Sequence, residues 1–573
     1  MNFKANESDI KLRGGYYTPE PIARFLSSWA LVKKPRTILE PSCGDGAFIR
    51  SIRGQYRHKI QFTGVEWLAE EAAKSKRFAH EQPCLDANIL AADFLQWSID
   101  ALDAGRSFDA VLGNPPYIRY QYLEERDQQL AEALFRRFDL PFTKHTNSWV
   151  PFVIASVAML CRGGRMSMVV PAELLHVLHA NSLRRFLLSE CDRILIIDPN
   201  ELLFEEALQG TVLLMAEKKL EASSPTKGVA VFAAPDNSFL NDDPEVIFNN
   251  AYYVSGDALD GKWMKVLLSP EELRVLEKAR QLPRVRKFSQ VASADVGIVT
   301  GANKFFLVDE QTVIQYELQN FARPMFGRSE HCPGIIYSRK SHASNSHMGL
   351  PSNFVMFDKV GFEDLPEGAQ RYIRKGESER LHTRYKCRIR TPWYSVPSVY
   401  AAELGMLKRA HHFPRLILNT AAAYTTDTVY RIRSYGIPAE VLVHRFVNSL
   451  TALTAELEGR HYGGGVLELV PSEIEKLLVP IPETTEVKLE ELDARIRAGH
   501  DPDAILSKQD QTILKAIGLN HREMALIHEA WRHVRSRRHR LLKCESDNPF
   551  LKSRALPKNP LLPNNCLRLP KKS

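Results

Sequence analysis

The stretch Thr37-Ile-Leu-Glu40-Pro-Ser-Cys-Gly44-Asp-Gly46-Ala-Phe-Ile49 decides the reading of the N-terminal half. A short strand pattern runs into a turn with two glycines, and helical spacing follows through Ala47, Phe48, Ile49 and Ile52. Glycine at 44 and 46 lets the backbone turn sharply and a ligand approach it closely. A dinucleotide fingerprint needs glycine or alanine as its last member. Here that position is Ile49, and Glu40 sits where the strand ends, so a nicotinamide dinucleotide fits poorly.

Outward from this turn, strand patterns at Thr37–Leu39, Ile60–Val65, Asn88–Ala91, Phe108–Leu112, Met166–Val170, Arg193–Ile197 and Thr211–Ala216 alternate with helical ones. This alternation predicts an α/β domain with a parallel sheet flanked by helices. Ile22, Phe25, Leu26 and Trp29 have helical spacing, with Thr18 expected as N-cap and Pro19 as the first helical residue.

The second strand ends in Glu66, where a carboxylate can accept from both hydroxyls of a ribose. The third leads into Asp93-Phe94, where the acid can accept from an exocyclic amine and the aromatic can cover a base. Taken singly, each acid is equally a solvent-facing strand end. Together with Glu40 they occupy consecutive strand ends, which share one crevice in such a sheet. The fourth strand runs into Gly113-Asn114-Pro115-Pro116-Tyr117. Two prolines make a rigid turn lacking two backbone donors, leaving the Pro115 carbonyl and the Asn114 side chain to accept from an amine. Tyr117 offers an aromatic face beside them for a planar group.

The length of 573 residues implies two to four domains, and 44% hydrophobic with 25% charged residues is ordinary globular usage. That composition excludes wholesale disorder, collagen and a membrane-embedded body. The longest apolar stretch, Trp149 to Leu160, is shorter than the roughly 20 residues a bilayer crossing needs. The polar start MNFKANESDIKLRGG lacks an apolar signal region, so a cytoplasmic location is expected. Eight scattered cysteines form no metal-spaced cluster; reduced thiols and no metal are expected.

Residues 1–220 hold 27 basic and 27 acidic residues, residues 221–521 hold 36 and 37, and residues 522–573 hold 13 and 4. The net charge of +8 therefore lies in the tail, which suits either phosphate attraction or a solvated flexible segment. The polar, turn-rich 221–228 is expected to end the first domain, giving a catalytic domain 1–220, a second region 229–531 and a basic, flexible tail 532–573. In the second region Val296–Val308, Arg415–Asn419 and Val429–Ile432 read as strands, and Pro438–Leu457 and Pro471–Leu477 as helices.

With these motifs in order, residues 14–220 resemble the gamma-class, TaqI-like N6-adenine DNA methyltransferases of restriction–modification systems. The resemblance implies a Rossmann-like sheet that binds S-adenosylmethionine, followed by a mixed α/β target-recognition region. It implies that Tyr17 and Thr18 belong to the N-terminal cofactor motif and that Glu40, Gly44 and Gly46 hold the methionine end. It likewise implies that Glu66 takes the ribose, and that Asp93 and Phe94 take the adenine end. Asn114, Pro115, Pro116 and Tyr117 match the catalytic tetrapeptide. The sequence departs from the family at Thr146-Asn-Ser-Trp149, where relatives often carry an Asp-Leu pair. The second region resembles the family less specifically, through Asp295–Phe306 and Tyr462–Pro471, whose glycines equally suit plain turns.

The implied reaction is methylation of an adenine flipped out of duplex DNA, with Asn114 and the Pro115 carbonyl gripping N6 and with Tyr117 and Phe204 covering the base. A single chain working beside a separate endonuclease is expected. The same tetrapeptide also serves RNA, cytosine N4 or protein glutamine as acceptor. A DNA-binding specificity protein with a relic catalytic half is the reading from another class, opposed by the intact set of motif residues.

Overall fold

The computed structural model describes residues 17–200 and 210–547, apart from 257, 258, 260, 359, 398, 463, 484 and 485. Seven strands in the first half are β1 Thr37–Glu40, β2 Ile60–Glu66, β3 Leu85–Ala91, β4 Phe108–Gly113, β5 Leu160–Pro171, β6 Cys191–Pro199 and β7 Thr211–Lys218. Each overlaps a strand expected from the sequence. The helices between them are α1 Glu20–Leu31, α2 Ala47–Ser51, α3 Ala69–His80, α4 Phe94–Asp103, α5 Glu125–Arg137, α6 Trp149–Ala158 and α7 Asn181–Glu190.

The sheet order is β3-β2-β1-β4-β5-β7-β6-β8, with β7 antiparallel to both neighbours and β8 spanning Gly228–Ala234. This is a Rossmann-like arrangement, mostly parallel with one antiparallel strand. Side chains alternate across it. Leu39, Val111, Met168 and Leu214 face one core, while Ile38, Ala110, Val169 and Leu213 face the other with Ile22, Phe25 and Trp29 of α1. Burial on both faces explains strands that read as nearly unbroken apolar runs. The order reverses between β1 and β4, and ligands bind at the carboxyl ends of strands beside such a switch.

Several expectations are corrected. The polar segment 221–228 does not close the first domain, because β8 beyond it pairs in parallel with β6 along Arg193–Pro199. The segment Val296–Val308, expected as one strand, is strand only at Leu307–Val308; a strand Ala292–Asp295 precedes it and Asn303–Phe306 is helical. The helix expected over Pro438–Leu457 divides into Ala439–Phe446 and Ser449–Glu458, since the Asn448 side chain accepts from Thr451 N at 2.9 Å and starts a new helix. The start of the expected tail, from 532, continues helix His521–Asp547. Arg538 is buried there against Glu456 at 2.6 Å, and Arg537 reaches Asp198 of β6 at 2.5 Å. Its basic character is therefore consumed in part by internal ion pairs.

One apolar core runs from the sheet through residues 263–294 and 404–534, joining the two halves. A separate core holds an outlying lobe drawn from residues 298–325 and 354–394, while Ile335 between them packs in the first core and Phe326, Cys332 and Tyr337 form a smaller cluster. Among the described residues no helix is long and apolar enough to cross a membrane.

Candidate active site

Glu40 ends β1, Glu66 ends β2, Asp93 follows β3 and Asn114 follows β4, so the four polar side chains expected at strand ends come to one sheet edge beside the switch. Gly44 and Gly46 take φ values of +47° and +84°, which a side chain would strain. A Cβ on Gly46 would also lie 3.1 Å from Ser75 Oγ. Ser75 Oγ donates to the Gly44 carbonyl at 2.8 Å and fixes the turn against α3.

The two oxygens of Glu66 accept from the amides of Gly44 and Leu68, each at 2.9 Å. Each oxygen keeps a second lone pair for a hydroxyl. Glu40 is 1% exposed, and its Oε2 has no hydrogen-bond partner among the described residues. Burial raises its carboxyl well above the ordinary range, Asp45 and Glu66 add to this, and Arg50 opposes it. A buried carboxyl left unpaired beside a glycine turn suits a cationic ligand end. Tyr17 is half exposed, and its ring lies 3.8 Å from where a Gly44 Cβ would stand.

Two expectations change here. Thr18 does not cap α1, whose N-cap is Pro19; Thr18 Oγ1 instead accepts from Asn114 Nδ2 at 3.2 Å. Phe94 is 4% exposed, with its ring 4.8 Å from that of Phe152, so core packing occupies the ring expected to cover a base. Asp93 caps α4, accepting from Gln96 N at 3.0 Å. Trp67, 64% exposed directly after Glu66, is an aromatic at the crevice that the strand-end reading passed over.

The tetrapeptide is held from three sides. Ser42 Oγ donates to the Asn114 carbonyl at 2.9 Å, and Ser148 Oγ donates to the Pro116 carbonyl. The Pro115 carbonyl between them takes no hydrogen bond among the described residues. Tyr117 donates its hydroxyl to Asn114 Oδ1 at 2.7 Å, with the Val169 carbonyl at 3.0 Å. Behind the loop Ser148 Oγ accepts from Ile118 N at 2.8 Å, and Asn147 Oδ1 accepts from Tyr120 N at 3.1 Å. Asn147 Nδ2 donates in turn to Glu173 at 3.2 Å. The segment Thr146–Trp149, which departs from the expected pattern, is thus the brace of the tetrapeptide. Phe204 lies outside the described residues. Among those residues no cluster of His, Cys, Asp or Glu could hold a metal ion.

Residues 49–204 match the family described as Eco57I restriction-modification methylase, and residues 260–514 match Type II methyltransferase M.Eco57I, C-terminal domain. The chain belongs to the restriction–modification methyltransferases. It is 22% identical over 475 residues to the Type II methyltransferase M.AccI of Acinetobacter calcoaceticus, covering 80% of this chain and 84% of that one. It is 31% identical over 183 residues to M.TthHB8I of Thermus thermophilus, covering 31% of this chain and 39% of the relative. Among solved structures, the type IIG restriction endonuclease BpuSI aligns at a TM-score of 0.42 with 13% identity, over 92% of this chain and 66% of that one. The methyl donor of this methyltransferase is S-adenosylmethionine. The unpaired Glu40, the glycine turn and the acceptor pair of Glu66 fit its cationic amino acid end and its ribose.

Proposed function

We propose that the chain methylates N6 of adenine in duplex DNA, as the modification arm of a restriction–modification system. The observation that carries this reading is the open Pro115 carbonyl beside Asn114 Oδ1, two acceptors on a rigid turn that suit the two hydrogens of an exocyclic amine. S-adenosylmethionine supplies an electrophilic methyl group on sulfur. Asn114, Pro115 and Tyr117 do the rest.

N6 inside a duplex is out of reach, so the base leaves the stack at a cost of a few kcal/mol, offset by pocket contacts. Tyr117 stacks on it, a contact worth roughly 1–3 kcal/mol. As the amine enters, the Tyr117 proton turns from Asn114 Oδ1 to the Val169 carbonyl, returning a lone pair to the substrate. Accepting both N6 hydrogens draws the nitrogen toward a tetrahedral shape and aims its lone pair at the methyl carbon. The N–C bond forms as the S–C bond breaks, sulfur keeps the electron pair as a neutral thioether, and one N6 proton leaves to solvent. Phe204 serves in this reading as the second cover of the base. The chain acts as a monomer beside a separate endonuclease.

The test is transfer of labelled methyl from S-adenosylmethionine to duplex DNA, followed by digestion to nucleosides and mass spectrometry. N6-methyladenine is the expected product. Label in N4-methylcytosine, in RNA or in protein glutamine would overturn the assignment.

A further inference from the structure

The outlying lobe has its own apolar centre at Phe305, Phe306, Phe354, Tyr372 and Ile373. Along one edge Arg380, Arg384, Tyr385, Lys386, Arg388 and Ile389 are all exposed. From Arg380 to Tyr400 the sequence has five cations and no acid. One of the five, Arg390, is spent internally, donating to the carbonyls of Thr300 at 2.8 Å and Val299 at 2.7 Å. The side chains of the other four have no hydrogen bond or ion pair among the described residues, although Lys386 and Arg388 rest over the Tyr385 ring. Glu377 and Glu379 stand nearby, and Glu377 accepts from the Trp393 indole at 3.1 Å.

The loop that Arg390 holds is Val296–Gly301, within the motif Asp295–Phe306. It is fixed from both sides. Arg431 donates to the Val296 carbonyl at 2.8 Å. A Cβ on Gly297 would lie 2.0 Å from the Thr426 carbonyl oxygen, and one on Gly301 would lie 2.6 Å from Lys386 Cβ. This fixed loop shows Val296 and Val299 to solvent beside the four unpaired cations. Unpaired positive charge beside a rigid, partly apolar edge is the composition of a surface that meets phosphates and groove edges.

We propose that Arg380, Arg384, Lys386 and Arg388 grip the phosphate backbone of duplex DNA, with Arg390 as the positioning residue that ties the Val296–Gly301 loop to them. The proposal rests on the reading of DNA as acceptor and locates where the lobe meets it.

The test uses the full chain and measures duplex binding by fluorescence anisotropy across a salt series. Each phosphate contact adds about 0.9 to the slope of log affinity against log salt, so Arg384→Ala/Lys386→Ala/Arg388→Ala lowers the slope by about 2 to 3. S-adenosylmethionine affinity and melting temperature stay at wild-type values. A control with the same charge loss, Lys59→Ala/Lys76→Ala/Arg136→Ala, keeps the wild-type slope. If the triple variant melts early, the single reversal Arg384→Glu is read instead, and a lower slope is again expected. A variant slope equal to wild type, or an equal fall in the control, overturns the proposal. A wild-type chain that neither binds nor methylates duplex DNA overturns the acceptor assignment itself, a result distinct from the variant's.

Discussion

The Tyr117 hydroxyl stands 2.7 Å from Asn114 Oδ1 and 3.0 Å from the Val169 carbonyl, so one proton has two acceptors within reach. Without the hydroxyl Asn114 loses a restraint worth about 1 kcal/mol, while the ring remains to stack. Tyr117→Phe is therefore expected to lower kcat by about fivefold with little change in KM for DNA. Tyr117→Ala also loses stacking and should raise that KM by about tenfold or more. Steady-state kinetics on one duplex separates the two effects.

In the proposed reaction, Asn114→Ala removes one of the two acceptors aimed at the amine. Loss of one preorganised transition-state contact costs about 100- to 1,000-fold in kcat. Affinity for S-adenosylmethionine, measured by calorimetry, should stay close to wild type because Asn114 is not among the residues assigned to the cofactor.

With Glu40 proposed as the contact for the donor's cationic end, cofactor binding is expected to depend on pH. Its folded-state carboxyl is raised above the ordinary glutamate value of 4.5, first by burial and then by Asp45 and Glu66. By linkage, this group's stabilising contribution is full below 4.5 and is lost as pH rises through the raised value. A cationic ligand favours the ionised form, so between those two values binding expels a proton and affinity rises with pH. Calorimetry in buffers of different ionisation enthalpy should register this proton release. Glu40→Gln should abolish it and flatten the pH profile.

Removing Arg538 leaves Glu456 buried without its cation. Burial alone would raise the Glu456 carboxyl, but Arg538 and His461 hold it at about 2. Breaking such a pair by deleting one partner costs about 3–5 kcal/mol. Arg538→Ala is expected to lower the melting temperature by several degrees, and truncation after Trp531 to do so at least as strongly. Differential scanning calorimetry checks both.

The sheet of the first half was legible because its strands are buried on both faces and the acids of the candidate site sit at strand ends, a pattern that needs no tertiary information. Thr18 and Phe94 were misread because their partners, Asn114 and Phe152, are far away in sequence. The tail was read as flexible from its charge, since nothing local to Arg538 reveals Glu456 across the fold. Ser148 and Asn147 gave only a faint signal, a departure from pattern whose meaning depends on the loop they support. Trp67 was visible as an aromatic beside Glu66 and was passed over because the reading of that strand end stopped at the acid.

The separation of cores says where this protein tolerates a graft. Residues 404–534 share packing with the catalytic sheet, so swapping them between relatives would disturb one continuous close-packed interior. The lobe with its independent interior touches the body's sheets through few strands, among them Tyr424–Thr425 beside Ala322–Phe326. If the lobe meets DNA as proposed, it is the seam at which sequence preference is expected to be exchanged while the chemistry is left untouched.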